Sequence, residues 1–264
     1  MSARVDTAPT GSPRLDVAMR HRIGTLAIDV SFALRQPWTV LFGPSGSGKS
    51  TILRAIAGLV RSDSARIVLA EASMPGAPGT VIVVDSAAKK FTPTHARSIP
   101  LAPQAPSLFP HMSVMENVAY GISSNSREDA LRNEMDESLS LFRIAPLAGK
   151  RPAELSGGEA QRVNLARAAA AALENRLLLL DEPFSGLDVG LRSELMHDLQ
   201  AWTAKRNLCV LSVTHDVAEA FQLDAEVIKL AEGRVVEQGP VATVLAEERA
   251  RLLMQLNGTA GSPA

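Results

Sequence analysis

A glycine-rich segment with a single lysine has the residue types that bind phosphate groups. It follows an apolar run, Trp38–Phe42, and precedes a helical pattern, Thr51–Val60, a context in which backbone N–H groups and a helix N-terminus cradle phosphates. Its residues fit the pattern G-x-x-x-x-G-K-[ST] and are Gly43, Pro44, Ser45, Gly46, Ser47, Gly48, Lys49 and Ser50, followed by Thr51. We expect Lys49 to reach the β- and γ-phosphates of a nucleotide and the Ser50 hydroxyl to ligate Mg²⁺.

Three other apolar stretches also end in polar residues. Their terminal residues are Gln104 after SIPLAP, Asp181 and Glu182 after LLLL, and Thr214 and His215 after VLSV. In an open α/β sheet, ligands bind at the carboxyl ends of the strands. We therefore expect these side chains to converge on the triphosphate that the glycine-rich loop binds.

The converging side chains have complementary chemistry for phosphoryl transfer, which needs charge neutralisation and an oriented water more than covalent catalysis. We expect Asp181 to hold Mg²⁺, directly or through water, and Glu182 to polarise the attacking water. Gln104 can contact both the metal and that water, and His215 can donate a hydrogen bond to the γ-phosphate or position the water. The candidate metal ligands are thus Ser50, Gln104 and Asp181, and the candidate catalytic residues are Gln104, Glu182 and His215.

A second candidate phosphate site lies far along the chain from the first. The segment ELSGGEAQRVNLARA places Ser156, Gly157 and Gly158 ahead of a helix, whose N-terminal amides favour an anion. An ordinary helix start is the alternative, with Ser156 as the N-cap and Glu159 three residues later. Two phosphate sites beside one set of hydrolysis residues require an explanation.

The apolar runs indicate an α/β fold with a mainly parallel sheet. Residues 65–90 are predicted to form antiparallel strands, about 105–175 an inserted α-helical subdomain, and the late runs EVIKLAEG and RVVEQG a hairpin. We expect one domain over residues 15–256, ending in a helix over 241–256. Segments 1–14 and 257–264 are predicted to be disordered.

The composition argues against several classes of protein. The 264 residues carry a net charge of −1, which gives no reason to expect a partner that is nucleic acid or an anionic membrane. The one cysteine, Cys209, lies in an apolar run and fits core packing in a reducing cytosol. No apolar run approaches the ~18 residues that a membrane span needs.

The motif LSGGEAQR, Leu155–Arg162, resembles the signature of the ATP-binding cassette (ABC) family. Five other motifs of that family occur in the family's order: the phosphate loop, a glutamine loop at Gln104, LLLLDEP, SGLD at 185–188, and a switch histidine at His215. The resemblance implies a P-loop ATPase fold with ATP and Mg²⁺ as cofactors. It also implies a head-to-tail dimer, in which each ATP lies between the phosphate loop of one copy and Ser156-Gly157-Gly158 of the other.

The sequence is similar to the sequences of ATPase subunits of bacterial importers, especially of those that import molybdate and other oxyanions. This similarity implies separate membrane permease subunits and a location on the cytoplasmic face of the inner membrane. The segment after Gln104 contains more apolar residues than a surface loop usually does, and they suit a groove that receives a permease helix: Leu108, Phe109, Pro110 and Met112. The alternative is that these residues pack locally under the helical subdomain. Such importers often carry a C-terminal regulatory domain, which residues 241–264 are too few to supply.

The expected adenine site departs from the family pattern, in which an aromatic residue ahead of the phosphate loop stacks on the base. No Phe, Tyr or Trp precedes Phe32. We expect His21, or Arg20 or Arg22 through a cation–π contact, to take that place. Because the phosphates carry most of the specific contacts, ATP and GTP should differ less in affinity than is usual in the family.

A soluble ABC ATPase of DNA repair, translation or assembly is the alternative to a transporter subunit. Repair and chromosome types insert long coiled coils between the phosphate loop and the signature, but the interval from Lys49 to Ser156 has no sustained heptads. Translation types usually carry two cassettes in one chain, and this sequence contains one. The sequence therefore favours a transporter ATPase.

Overall fold

The computed structural model describes residues 14–70, 79–122, 128–173 and 177–259. The strands in these ranges are β1 Leu15–Ile23, β2 Leu26–Leu34, β3 Trp38–Phe42, β4 Ser64–Ala70, β5 Thr80–Asp85, β6 Lys90–Phe91, β7 Leu101–Ala102, β8 Leu177–Asp181, β9 Cys209–Thr214, β10 Glu226–Ala231 and β11 Arg234–Pro240. The helices are α1 Lys49–Ala57, α2 Thr94–Arg97, α3 Val114–Ala119, α4 Glu128–Leu141, α5 Gly157–Ala171, α6 Val189–Lys205, α7 Val217–Gln222, α8 Val241–Val244 and α9 Ala246–Thr259.

The described strands form one sheet with a parallel half and an antiparallel half. Their order is β6-β5-β4-β1-β2-β11-β10-β3-β9-β8-β7. All neighbours from β10 to β7 are parallel, whereas β6, β5, β4, β1 and β2 pair antiparallel. The predicted α/β class is confirmed, and the predicted hairpin is the antiparallel pair β10–β11. The prediction of a mainly parallel sheet therefore holds only for the half that runs from β10 to β7.

The antiparallel half is larger than the sequence prediction because it includes β1 and β2. In β1, Leu15, Val17 and Met19 are buried while the residues between them are more exposed, the period of a strand that is covered on one face. Strand β1 pairs with β2 on one side and with β4 on the other. The Pro- and Gly-containing link predicted between β4 and β5 falls on residues 71–78, which lie outside the described residues.

The parallel strands are buried on both faces. In β8, Leu178 and Leu180 pack into one hydrophobic cluster, and Leu177 and Leu179 pack into a second cluster on the opposite face, together with α1. A strand covered in this way is a continuous apolar run, which is why the sequence shows four successive leucines. The charged side chain of β8 lies at the end of the strand, where Asp181 is the last residue.

Helices α3, α4 and α5 lie in the region 105–175 that was predicted to be helical; within it, residues 123–127 and 174–176 are not described. Helices α3 and α5 both begin with a capping box, which satisfies free N–H groups at their first turns. The end of α3 approaches α5 closely at Gly121, where a Cβ atom would lie 2.3 Å from the carbonyl oxygen of Arg167. Only glycine permits this approach.

The two ends of the described chain differ from the predicted boundaries. The predicted final helix is two helices, α8 and α9, because the chain leaves helical geometry at Leu245. Helix α9 continues through Asn257 to Thr259, beyond the boundary expected at 256. Arg14 is also ordered, since its backbone N–H donates to the carbonyl oxygen of Leu34 at 2.8 Å. Residues 1–13 and 260–264 lie outside the described residues.

Candidate functional site

The glycine-rich loop connects β3 to α1, as predicted. Gly46 and Gly48 have φ values of 80° and 99°, a backbone region that L side chains rarely adopt, so these turns require glycine. At Gly43 a Cβ atom would lie 2.4 Å from the carbonyl oxygen of Leu230 in β10. The loop is therefore held against the neighbouring strand and curls ahead of the first turn of α1, where free N–H groups can face an anion.

The Lys49 side chain lies inside this loop. Its Nζ atom donates hydrogen bonds to the carbonyl oxygens of Gly43 at 2.7 Å and Pro44 at 2.8 Å. Lys49 is only 6% exposed, and burial lowers the pKa of its ammonium group, while the nearby charges of Glu182 and Asp181 raise it. Two of the three N–H donors are thus used by the loop, which leaves the third for a phosphate oxygen.

Ser50 and Asp181 bring a hydroxyl and a carboxylate together. The Ser50 Oγ atom donates to Asp181 Oδ1 at 2.9 Å, although the residues are far apart in the chain. Asp181 is 1% exposed, and burial raises the pKa of its carboxyl group, while the hydrogen bond from Ser50 lowers it. A hydroxyl and a carboxylate at the mouth of a phosphate loop are the hard oxygen donors that Mg²⁺ prefers, so this pair fits a magnesium site.

Gln104, Glu182 and His215 form a hydrogen-bonded group next to that pair. The Nε2 atom of Gln104 donates to Glu182 Oε2 at 2.8 Å, and His215 Nδ1 lies 3.2 Å from Glu182 Oε1. The three residues follow β7, β8 and β9, which are adjacent in the sheet. Glu182 has a φ of 47°, and its N–H donates to the carbonyl oxygen of Val213, so the backbone turns sharply where β8 ends. The sheet brings together the side chains whose convergence the sequence predicted.

The phosphate loop, Gln104 and Glu182 border a cleft of about 460 Å³. Its lining residues are Ile23, Leu26, Ser45, Gly46, Gly48, Lys49, Ser50, Thr51, Gln104 and Glu182. Ile23 and Leu26 flank the turn between β1 and β2 and were not predicted as site residues. The sequence signal that could have identified them is the turn segment IGTL, which lies between two runs of alternating apolar and polar residues. Gly24 in this turn has a φ of 55°.

The three residues proposed to contact adenine do not line the cleft. Arg20 forms an ion pair with Asp29 at 3.2 Å. His21 Nδ1 faces Asp63 at 3.5 Å, and the backbone N–H of Arg22 donates to the same carboxylate. The only side chains that the β1–β2 turn presents to the cleft are aliphatic.

The second glycine pair does not line the cleft. Ser156 caps α5: its Oγ atom accepts from the N–H of Glu159, whose carboxylate accepts from the N–H of Ser156 at 2.7 Å. Gly157 and Gly158 are the first helical residues, and a Cβ atom at Gly157 would have no neighbour within 4 Å. The predicted helix cap is present. Ser156 and Gly157 are exposed to solvent, and none of the three residues Ser156–Gly158 lines the cleft beside the phosphate loop.

The segment after Gln104 carries exposed aromatic and apolar groups. The Phe109 ring packs edge-on against Tyr120 with centroids 4.6 Å apart, and the Arg167 guanidinium lies 5.1 Å from the Phe109 centroid. Tyr120 is 65% exposed and Met115 43%. Leu108 instead packs against the core, so local packing accounts for only part of this segment.

In the described part of the chain, no helix is long and apolar enough to cross a bilayer.

Known proteins are similar in sequence to this chain over most of its length. The chain is 39% identical over 245 residues to the molybdenum import ATP-binding protein ModC of Mesorhizobium japonicum, covering 90% of this chain and 62% of that protein's length. It is 40% identical over 227 residues to the molybdate/tungstate import ATP-binding protein WtpC of Archaeoglobus fulgidus, covering 85% of this chain and 86% of that protein.

A solved structure has the same fold. It is cbiO1 from Clostridium perfringens, part of the ABC transporter complex cbiONQ, with a TM-score of 0.70 and 26% identity over 93% of this chain and 96% of that one. Residues 28–185 match the model of the ABC transporter family, a span that includes the phosphate loop, the signature and the Asp181–Glu182 pair. With this match and a 40% identical relative covered along 86% of its length, the chain belongs to the ABC transporter family.

Proposed function

We propose that this chain is the ATP-hydrolysing subunit of an ABC importer whose solute is molybdate or a related oxyanion. The observation that carries the proposal is the Glu182 carboxylate, held between Gln104 and His215 beside Lys49 and the Ser50–Asp181 pair. Phosphate binding, metal binding and activation of water are thereby combined at one end of the parallel strands.

The phosphate loop and Lys49 bind and orient the triphosphate. The loop N–H groups and the free Nζ proton of Lys49 contact phosphate oxygens. Ser50 and Asp181 would hold Mg²⁺, with Gln104 as a further ligand, and the bound ion would supply positive charge at the β- and γ-phosphates.

Glu182 accepts a hydrogen bond from the attacking water and so directs its lone pair at the γ-phosphorus. Gln104 and His215 fix the two carboxylate oxygens, which reduces the motion of Glu182 and the loss of alignment that motion causes. His215 also donates to a γ-phosphate oxygen when its ring turns towards the nucleotide. Hydrolysis is thus assigned mainly to positioning and charge, with no covalent intermediate on the protein.

The exposed helix end at Ser156–Gly158, which does not line the cleft, supports an ATP-dependent head-to-tail dimer. One chain leaves the outer face of its own triphosphate uncovered, and a second copy supplies the N-terminus of α5 to that face by twofold symmetry. ATP then links the two copies, and hydrolysis releases them. Ile23 and Leu26 offer an aliphatic surface to the base in place of an aromatic ring.

The proposed contact for a membrane permease is the surface formed by exposed Met115 and Tyr120 together with half-buried Phe109. This contact holds the subunit at the cytoplasmic face of the inner membrane. Import and an oxyanion solute are proposed because relatives of 39% and 40% identity are named as molybdenum and molybdate/tungstate import proteins. No nucleic-acid partner is proposed.

Size-exclusion chromatography of wild type and Glu182→Gln, with and without Mg-ATP, tests the site and the dimer together. Gln keeps the shape of the side chain but cannot activate water, so the variant should accumulate as a dimer in ATP while wild type hydrolyses ATP and stays mostly monomeric. Hydrolysis by the variant should fall by roughly 100-fold or more. Glu237→Gln, an exposed change of the same chemistry on β11, is the control.

A Glu182→Gln chain that stays monomeric at saturating ATP, and that also stays monomeric with the co-expressed permease, contradicts the dimer. Wild type that does not hydrolyse ATP with that permease present contradicts the enzymatic role. Purification of the chain with no membrane protein, under conditions that retain such partners, favours a soluble ABC ATPase instead.

A further inference from the structure

A buried carboxyl group lies beside the His215 turn and has no role in the mechanism above. Glu219 is in the first turn of α7 and is only 6% exposed. Its Oε1 atom is buried without a hydrogen-bond partner. A glutamate in such a position is costly unless it stays neutral or has a partner, so its presence next to the site requires a reason.

The turn that carries His215 is fixed by side chains on both sides of it. Asp216 caps α7: its Oδ1 atom accepts from the N–H of Ala218 at 2.8 Å and of Glu219 at 3.3 Å. The N–H of Asp216 donates to the Thr214 hydroxyl at 3.0 Å. His215 lies between these two residues, so the direction of its ring depends on the geometry of the turn.

The same turn is attached to α6, the helix that follows the SGLD motif. Arg192 Nη1 donates to Asp216 Oδ2 at 2.9 Å. Arg192 lies in the first turn of α6, where its N–H donates to the carbonyl oxygen of Asp188, the N-cap of that helix. The Arg192–Asp216 ion pair therefore connects the SGLD segment to the His215 turn.

The charged residues that fix this turn, Asp216 and Arg192, both interact electrostatically with Glu219. The pKa of its carboxyl group is raised to about 7, first by burial and then by the charges of Asp216 and Glu182, which together outweigh the lowering by a hydrogen bond with Thr214 and by the charge of Arg192. On the other side of α7, the Arg249 guanidinium of α9 lies 4.8 Å from the centroid of Phe221. An ionised Glu219 would repel Asp216 and compete with it for Arg192.

We propose that Glu219 is a positioning residue for His215, acting in its neutral form through Thr214 and Asp216 to hold the imidazole against Glu182. The neutral carboxyl leaves Arg192 paired with Asp216 and keeps the helix cap intact. Loss of the side chain, or its ionisation, loosens the turn and moves the ring. This inference rests on the proposed function, since it adds a residue to the same hydrolysis site.

Steady-state ATP hydrolysis by the full chain tests the proposal with Glu219→Gln and Glu219→Ala, and with Glu237→Gln as the control. Gln is neutral and keeps the shape, so Glu219→Gln should keep its kcat at pH 6.5 within about twofold of wild type. Glu219→Ala should lose roughly 10- to 100-fold in kcat with little change in the KM for ATP, because the reacting groups are misaligned while the phosphate loop is intact.

The pH dependence separates positioning from a merely structural role. As the pH rises through about 7, Glu219 of wild type ionises and Gln cannot. The ratio of kcat for Glu219→Gln to kcat for wild type should therefore increase from pH 6.5 to 8.5. A constant ratio, or a Glu219→Ala chain with wild-type kcat, overturns the proposal and leaves ATP hydrolysis itself standing.

A second measurement does not depend on hydrolysis or on the folding yield of the Ala variant. The NMR signals of the His215 imidazole are identified as those lost in His215→Gln, and the ¹⁵N shift of Nδ1 reports its hydrogen bond to Glu182. Because an imidazole can itself bind a proton in this pH range, the comparison is between whole titration curves. The curve of this shift in wild type should carry a contribution from Glu219 near pH 7 and should therefore differ from the curve in Glu219→Gln. Coincident curves in the two proteins overturn the inference, whereas failure of wild type to hydrolyse ATP bears on the proposed function alone.

Discussion

Glu182 and Glu219 are two carboxyl groups of the same site in opposite surroundings. Glu182 lies at the strand end, where Gln104 and His215 each contact one of its oxygens. Glu219 lies behind the turn, buried, with one oxygen lacking a hydrogen-bond partner. The first is available to act on water, and the second can only influence its neighbours, so their proposed roles differ although their side chains are the same.

The raised pKa of Glu219 predicts how the stability of the folded chain depends on pH. Its pKa is about 7 in the folded state against an ordinary value of 4.5, so the folded state binds the proton more tightly. The stabilisation is complete below pH 4.5 and is lost as the pH rises to about 7. Relative to Glu219→Gln, wild type should lose up to about 3 kcal/mol of unfolding free energy between pH 4.5 and 8.

Urea denaturation of both proteins at pH 5 and pH 8 measures this difference. Glu237→Gln, whose carboxylate is exposed, should follow wild type at both pH values. If the free energies of unfolding of wild type and Glu219→Gln differ by the same amount at pH 5 and at pH 8, the carboxyl group of Glu219 is ionised in the folded state at both pH values.

At the scale of elements, the site depends on where loops and helix ends come close to their neighbours. The phosphate loop lies against β10 at Gly43, and α3 lies against α5 at Gly121. The β1–β2 turn brings Ile23 and Leu26 to the cleft. Each of these approaches can be tested by one substitution that changes the contact without touching the hydrolysis residues.

Gly121→Ala should destabilise the helical region. The added Cβ would lie 2.3 Å from the Arg167 carbonyl oxygen, so α3 and α5 must separate, at a cost of roughly 1–3 kcal/mol. We expect a fall in Tm of roughly 2–12 °C in a thermal unfolding scan. Gly149→Ala is the matched control because a Cβ there has no neighbour within 4 Å, and an equal fall in that variant would contradict the close-packing explanation.

Ile23→Tyr should strengthen ATP binding. Wild type offers the base only aliphatic groups, so its affinities for ATP and GTP, measured by competition against a fluorescent nucleotide, should be similar. A base–aromatic stack is worth about 1–3 kcal/mol, so the tyrosine should tighten binding by roughly 10-fold. Val236→Tyr, also at an exposed position, should have no effect. A large preference of wild type for ATP would count against the aliphatic base site.

At the scale of the whole molecule, the phosphate loop and the start of the signature helix do not share one cleft. Ser156–Gly158 does not border the cleft that Lys49 lines. In the proposed dimer each chain supplies one motif to each ATP, so that twofold symmetry completes two sites at once. The separation between the two motifs is therefore the structural basis of the proposed dimer.

Mixing two defective variants tests this arrangement. Gly157→Glu places a negative charge where the partner's γ-phosphate would lie, and Lys49→Ala removes a phosphate ligand; each should be inactive alone. In an equal mixture, half of the dimers are mixed, and each mixed dimer has one intact site, so ATP hydrolysis should recover to about a quarter of wild type. Recovery would fail if both motifs of one chain acted on the same ATP.

Much of the site could be read from contiguous residues. The phosphate loop, the Ser156 cap and the run of leucines before Asp181 are dictated by local backbone geometry and by burial of a strand on both faces, and these depend on neighbours in the chain. The convergence of Gln104, Asp181, Glu182 and His215 also followed, because parallel strands end on the same edge of a sheet.

The tertiary structure alone decided the rest. It placed β1 and β2 in the sheet, brought Ile23 and Leu26 to the cleft instead of Arg20, His21 or Arg22, and buried Glu219 beside the Arg192–Asp216 pair. These features join residues that are distant in sequence, so they depend on strand register and helix packing. A local pattern constrains the backbone of a few residues, whereas the register of a sheet selects which distant side chains meet.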